Sequence, residues 1–120
     1  MLKKTVLRKK SDFDAIYRTG KSAGDRYVVV FARPNGLGYG RTAFLASKKV
    51  GGSVERSRAR RLMKESYRSL SGSCRDCFDI VIIARAAING KKCGEVEASL
   101  LSALKRAGAL KQNEENRPRS

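Results

Sequence analysis

Apolar residues along this chain change their spacing several times, and each change marks an element. Phe13, Ile16 and Tyr17 recur at i, i+3 and i+4, one face of a short helix. Ser11 is the expected N-cap of that helix, Asp12 and Asp14 favour its first turn, and Gly20 is its expected stop. Residues 26–33 are rich in Val and aromatics and predict a strand. Pro34, Asn35 and the glycines at 36, 38 and 40 are turn chemistry, and residues 41–47 predict a second strand that should pair with the first as a hairpin. Ser53 is the expected N-cap of a helix reaching about Leu70, which Ser71-Gly72-Ser73 breaks. Ile80-Val81-Ile82-Ile83, within residues 78–85, is a continuous apolar run that suits a central or parallel strand. Val96, Leu100, Leu104 and Ala107 fall at helical spacing across residues 93–110. The order helix, strand, strand, helix, strand, helix predicts an α+β fold, an α/β sandwich with helices packed on a small mixed sheet. Residues 1–110 should form one domain with a basic N-terminal arm at 3–10, and the polar residues 111–120 a disordered tail.

Charge changes the picture most. The 120 residues hold 27 Lys and Arg against 11 Asp and Glu, a formal net charge of +16. So much positive charge repels itself unless a polyanion neutralises it. Nucleic acid is the first candidate partner and an anionic membrane surface the second. No apolar run approaches the length of a membrane span, and Met1-Leu2-Lys3-Lys4 leads into charge, not into a signal-like segment. With three Cys and no such segment, a reduced, cytoplasmic protein is expected.

The charge is also arranged. With residues 54–70 on a helical wheel, Ala59, Leu62, Met63, Ser66 and Leu70 gather on a core-facing side. Arg56, Ser57, Arg60, Arg61, Lys64 and Arg68 gather on the other, and Arg58 sits apart, where Glu55 or Glu65 could pair with it. Arg56/Arg60, Arg60/Lys64 and Lys64/Arg68 are like-charge pairs at i, i+4, each destabilising by a few tenths of a kcal/mol. Phosphates would remove that repulsion and release counterions, and the planar fork of Arg suits them. Lys48 and Lys49 precede Gly51-Gly52-Ser53 at the start of this helix, which could serve as an anion site or simply as a cap.

Other features carry less. The glycines at 36, 38 and 40 lack the following helix of a dinucleotide loop. Cys74 and Cys77 have Cys-x-x-Cys spacing, but the chain has no second pair and no His. Without His there is no usual general acid or base at neutral pH, and no protein-borne catalytic set or metal site is expected. Asp76 and Asp79 at the entry of the third strand are expected to be structural.

Three ordered stretches resemble the ribonuclease P protein family. One is Ser47-Lys48-Lys49-Val50-Gly51-Gly52-Ser53-Val54-Glu55-Arg56-Ser57-Arg58-Ala59-Arg60-Arg61, running on into Leu62-Met63-Lys64-Glu65-Ser66-Tyr67-Arg68. The others are Asp12-Phe13-Asp14-Ala15-Ile16-Tyr17-Arg18-Thr19-Gly20-Lys21-Ser22 and Asp79-Ile80-Val81-Ile82-Ile83-Ala84-Arg85. Ser57 stands where the family usually has Asn, a hydroxyl of shorter reach; Arg60 stands where Lys is common and Tyr17 where Phe is frequent.

The resemblance implies a left-handed βαβ crossover and a partnership with a large catalytic RNA that removes the 5′ leader of precursor tRNA. The RNA of such an enzyme supplies the active site and its Mg²⁺, and the protein alone binds no cofactor. Carried over, Lys48, Lys49, Arg56, Ser57, Arg60, Arg61, Lys64 and Arg68 bind the RNA subunit. Phe13, Tyr17, Phe31 and Ser47 belong to a cleft that holds the leader. Ribonuclease P RNA and precursor tRNA are then the partners, with no membrane and no obligate protein partner. The residues agree in kind, since Phe13 and Tyr17 lie one helical turn apart and could either stack on single-stranded bases or pack in the core. A ribosomal or general RNA-binding protein of similar fold is the alternative. A DNA-binding domain is a third reading, for which helix-turn-helix pairing and a dimer seam are lacking.

Overall fold

The computed structural model of the protein describes residues 6–111. Residues 3–5 of the arm expected at 3–10, and the tail expected at 111–120 beyond Lys111, lie outside these residues; of the rest of the arm, Val6 bridges to Thr42, Leu7 is buried and Lys10 starts the first helix.

Three helices and four strands are ordered α1 (Lys10–Thr19), β1 (Lys21–Gly24), β2 (Val28–Pro34), β3 (Arg41–Leu45), α2 (Ser53–Leu70), β4 (Phe78–Ala84) and α3 (Cys93–Arg106). The strands form one sheet in the order β1-β2-β4-β3. The expected hairpin between the second and third strands does not form. β2 pairs antiparallel with β4 along its whole length, and β3 pairs parallel with β4 on the other side. The run Ile80-Val81-Ile82 is buried on both faces of the sheet, so β4 takes the central place and pushes β3 to the edge. β1, which the pattern of the sequence did not announce, is a short Lys-Ser-Ala-Gly edge whose pairing with β2 makes it a strand.

The crossover from β3 through α2 to β4 is left-handed. The Arg85-to-Tyr27 and Asn35-to-Cys77 backbone bonds set the phase of the β2–β4 ladder. Asp79, Val81 and Ile83 therefore direct their N–H and C=O groups at β2, and Ile80 and Ile82 direct theirs at β3. The side chains of Ile80 and Ile82 face α2. For L residues this puts β3 to the right of β4, viewed from the α2 side with β4 running upward. The chain thus crosses in front of the sheet from right to left, against the strong right-handed preference.

Each face of the sheet has its own core. Val28, Val30, Ala32, Ile80, Ile82 and Ala84 pack against Ala59, Met63 and Leu70 of α2 and Val96, Leu100, Ala103 and Leu104 of α3. The face behind holds a smaller cluster of Leu7, Ile16, Ala43 and Val81 beneath α1. α1 begins at Lys10 with Lys9 as N-cap, so Ser11 lies inside the first turn and caps nothing. Gly52, not Ser53, is the N-cap of α2, and its N–H donates to the Glu55 carboxylate at 3.0 Å.

Asp25, in the turn between β1 and β2, ties that turn to α3. It accepts from the Arg26 N–H and the Ser99 hydroxyl, both at 2.8 Å, and from Arg106 at 2.7 Å. These donors, the Arg26 N–H foremost, hold its carboxyl down at about 2. A group whose pKa is depressed in the folded state stabilises it above the unfolded pKa and loses that effect as pH falls. Asp25→Asn should therefore cost on the order of 2 kcal/mol at pH 7. Thermal melts across pH should show the gap from the parent protein closing between about pH 4 and pH 2; a gap independent of pH would contradict this assignment.

Candidate nucleic-acid interface

α2 presents its cations as its sequence spacing requires. Ala59, Met63, Ser66 and Leu70 are buried, Leu62 and Tyr67 are partly buried against them, and Ser57, Arg61, Lys64 and Arg68 face solvent on the opposite side. Arg56 and Arg60 are half-buried within the same face. Several of these groups hold one another. Arg56 Nε donates to the Gly52 carbonyl at 3.3 Å, and Arg60 donates to the Ser57 hydroxyl at 3.2 Å. Arg68 pairs with Glu65 at 2.8 Å, so the end of the stripe is partly neutralised within the helix. Arg58 pairs with neither glutamate. Glu55 is taken by the Gly52 N–H and Glu65 by Arg68, and Arg58 reaches the Lys91 carbonyl at 3.4 Å.

The turn before α2 extends this surface. Ser47, Lys48 and Lys49 are exposed, while Val50 is anchored in the core. The Ser47 hydroxyl accepts the Lys49 N–H at 3.2 Å, and the Ser47 carbonyl accepts the Val50 N–H at 3.0 Å. At the glycines the Glu55 side chain reaches back to the Gly52 N–H at 3.0 Å, half of a capping arrangement at the start of α2. Val54, 75% exposed in the first turn, adds an apolar patch among the cations.

The second group of candidate residues lies on the opposite face of the sheet. α1 crosses behind the ends of the strands where Arg33, Arg41 and Asp79 lie; Asp12 meets Arg41 there and Thr19 meets Arg33. Period-2 alternation puts Val29 and Phe31 of β2, Ile83 of β4 and Leu45 of β3 on this face, all only partly buried. Phe13, Phe31, Leu45 and Ile83 pack against the small core and stay partly exposed, which leaves an apolar surface beside α1. Tyr17 adjoins it, 41% exposed, with its ring 5.0 Å from Phe31 edge-on and 6.2 Å from Phe13. Burial and the neighbouring Asp14 carboxylate push the Tyr17 hydroxyl above its ordinary pKa, so it stays a neutral phenol. The aromatic triad thus has a packed side and an open side. Ser47 follows β3 at the edge of the sheet, in the turn leading to α2 rather than among the rings.

Sequence spacing did not bring two further groups of residues together. Val29, Leu45 and Ile83 are partly buried on the same face as Phe31, and strand alternation around Phe31 could have found them. The other group is a polar cluster beneath α1. Asp79, 2% exposed, accepts from Arg41 at 2.9 and 2.7 Å and from Asn35 at 2.9 Å. Arg41 uses its third nitrogen to reach Asp12 at 3.1 Å. Asp79 is therefore structural, as its place at a strand entry suggested. Cys74, Cys77 and Cys93 are free thiols; Cys74 is buried, and burial pushes its thiol up, away from the reactive thiolate.

The comparisons with known proteins agree with one another. The sequence profile of the Ribonuclease P family matches residues 1–108. The ribonuclease P protein component of Alkaliphilus metalliredigens is 41% identical over 100 residues, covering 83% of this chain and 90% of that one. Its counterpart in Clostridium acetobutylicum is 39% identical over 117 residues, covering 96% and 98%. Among solved structures, the RNase P protein of Staphylococcus aureus superposes with a TM-score of 0.79 at 28% identity, covering 91% of this chain and all (100%) of that one. The RNase P protein of Thermotoga maritima superposes with a TM-score of 0.74 at 34% identity, covering 83% and 94%.

Proposed function

The chain belongs to the ribonuclease P protein family and is thus the protein subunit of an RNA-containing endoribonuclease, and we propose that its two surfaces divide the work of that enzyme. The cationic face of α2, with Lys48 and Lys49, binds the RNA subunit. The cleft of Phe13, Tyr17 and Phe31, with Ser47 at the sheet edge, receives the 5′ leader of precursor tRNA. Cleavage of the leader belongs to the RNA.

The observation that carries this division is that the two surfaces lie on opposite faces of one sheet and differ in chemistry. The α2 face offers fixed cations on a rigid helix, suited to the regular phosphates of a folded RNA. The cleft offers half-exposed rings beside an apolar surface, suited to single-stranded bases without demand on sequence. A leader of variable sequence calls for that kind of contact.

In this reading the Mg²⁺ of the enzyme is held by its RNA subunit. Asp12, Asp14, Asp25 and Asp79 are each paired with a Lys or Arg. Among the described residues, no three His, Cys, Asp or Glu gather as a metal site. The protein's contribution is to bind and orient RNA. The expected cytoplasmic location remains part of this proposal; among the described residues no helix is long and apolar enough to cross a membrane.

Tyr17→Ala tests the cleft. In the assembled enzyme it should weaken binding of leader-bearing precursor tRNA by about 5–50-fold, the loss of roughly one stacked base, and leave leaderless tRNA unchanged. Equal losses for the two substrates would refute a leader site at Tyr17.

A further inference from the structure

We propose that the Asp12–Arg41 ion pair is a positioning device for the cleft, fixing the tilt of α1 and with it the gap between Tyr17 and Phe31. The inference rests on the leader-cleft reading given above and adds positioning residues to it.

α1 is lightly held by apolar packing. Ile16 is its one fully buried residue, and Phe13 is only partly buried. A ten-residue helix on so small a footprint can roll or tilt over the sheet unless its ends are fixed. The C-terminal end is fixed by close backbone approach. A Cβ on Gly20 would stand 2.6 Å from the Ile16 carbonyl oxygen and 2.9 Å from that of Ala32, so nothing larger than Gly fits between helix and β2. The Arg33 guanidinium also lies 3.4 Å from the Thr19 hydroxyl.

At the N-terminal end the fixed point is a guanidinium. Arg41 spends two nitrogens on the buried Asp79 carboxylate, which Asn35 holds from another side. The fork is locked to the centre of the sheet, and the one nitrogen left over, Nη1, projects to Asp12 in the first turn of α1. Asp12 adjoins Phe13, and Tyr17 stands just over one turn further on. Any roll of the helix that moved Asp12 off Nη1 would swing Tyr17 relative to Phe31, whose rings now meet at 5.0 Å and 74°. A pair whose side chains are 19% and 27% exposed gives back in desolvation much of what attraction gains, so its net contribution to stability is small. Its geometric effect is larger, because one partner cannot move.

The test uses the enzyme reconstituted from this chain and a ribonuclease P RNA, with dissociation constants for leader-bearing and leaderless tRNA. Asp12→Ala should weaken the leader-bearing substrate about 3–10-fold and change the leaderless one by less than about twofold. Asp12→Asn, whose amide oxygen can still accept from Nη1, should recover most of the loss. Arg41→Lys keeps a cation beside Asp79 but cannot fork to both carboxylates. It should reproduce the leader-specific loss, and the Asp12→Ala/Arg41→Lys double variant should lose no more than either single one. A merely stabilising pair would leave the ratio between the two substrates untouched. An unchanged ratio in Asp12→Ala, with Tyr17→Ala showing its leader-specific loss, would overturn the positioning role alone. Absence of that loss in Tyr17→Ala would overturn the cleft reading and this inference with it.

Discussion

Asp79→Ala is expected to destabilise the fold by about 3–5 kcal/mol, a large part of the stability of a domain this size. The Asp79 side chain is 3% exposed and accepts three hydrogen bonds from Arg41 and Asn35. Removing it leaves Arg41, only 19% exposed, with a single carboxylate partner in Asp12, itself 27% exposed. It also strips Asn35 of one acceptor at the end of the β2–β4 ladder, where Asn35 N–H reaches the Cys77 carbonyl at 2.8 Å. An uncompensated buried charge costs far more than the pair gains over apolar residues, so Arg41→Met in the Asp79→Ala background should recover much of the loss. Urea midpoints at constant slope provide the measurement. A loss below about 1 kcal/mol for the single variant would show that the cluster is wet and weak.

The second large effect is on binding. Replacing Arg56, Arg60, Arg61 and Lys64 together by Ala should weaken the complex with the RNA subunit by about 10²–10³-fold at moderate salt. The slope of log K against log salt should become shallower by about 3–4, a little under one for each of the four phosphates no longer neutralised. The isolated protein should be no less stable, because the substitutions remove the like-charge pairs Arg56/Arg60 and Arg60/Lys64 and add good helix formers. Stability and binding therefore move in different directions. An affinity and slope unchanged from the parent would take the RNA off this face of α2. A parallel drop in stability would mean that these cations belong to the fold.

How much of this the sequence showed depends on the range of the forces involved. α2 is 18 residues of continuous helical period, so its buried and cationic sides follow from spacing alone. The Ile80–Ile83 run announced a central strand for the same reason. The neighbours of that strand were another matter. Proximity in sequence suggested a hairpin of β2 and β3, but a strand buried on both faces needs two partners, and β4 took the place between them. β1 has weak strand propensity and exists through its pairing with β2. The left-handed crossover ran against the general rule and came only from family resemblance.

The site divides along the same line. The α2 stripe was legible because its residues are close in sequence, yet its internal bonds were not: Arg68 to Glu65 and Arg60 to Ser57 depend on rotamers. Half of the cleft was legible through Phe13 and Tyr17. That Val29, Leu45 and Ile83 share a face with Phe31 depends on which strands neighbour which. The Asp12–Arg41–Asp79 cluster joins positions 29 and 38 residues apart, and no local pattern marks such an arrangement.

The most direct test is cleavage of precursor tRNA at low Mg²⁺ by a bacterial ribonuclease P RNA that is active alone at high Mg²⁺, with and without this chain. The account predicts cleavage at the mature 5′ end when RNA and protein are together, and none by the protein alone. Cleavage by the protein without RNA, or no effect of the protein on that RNA, would contradict it.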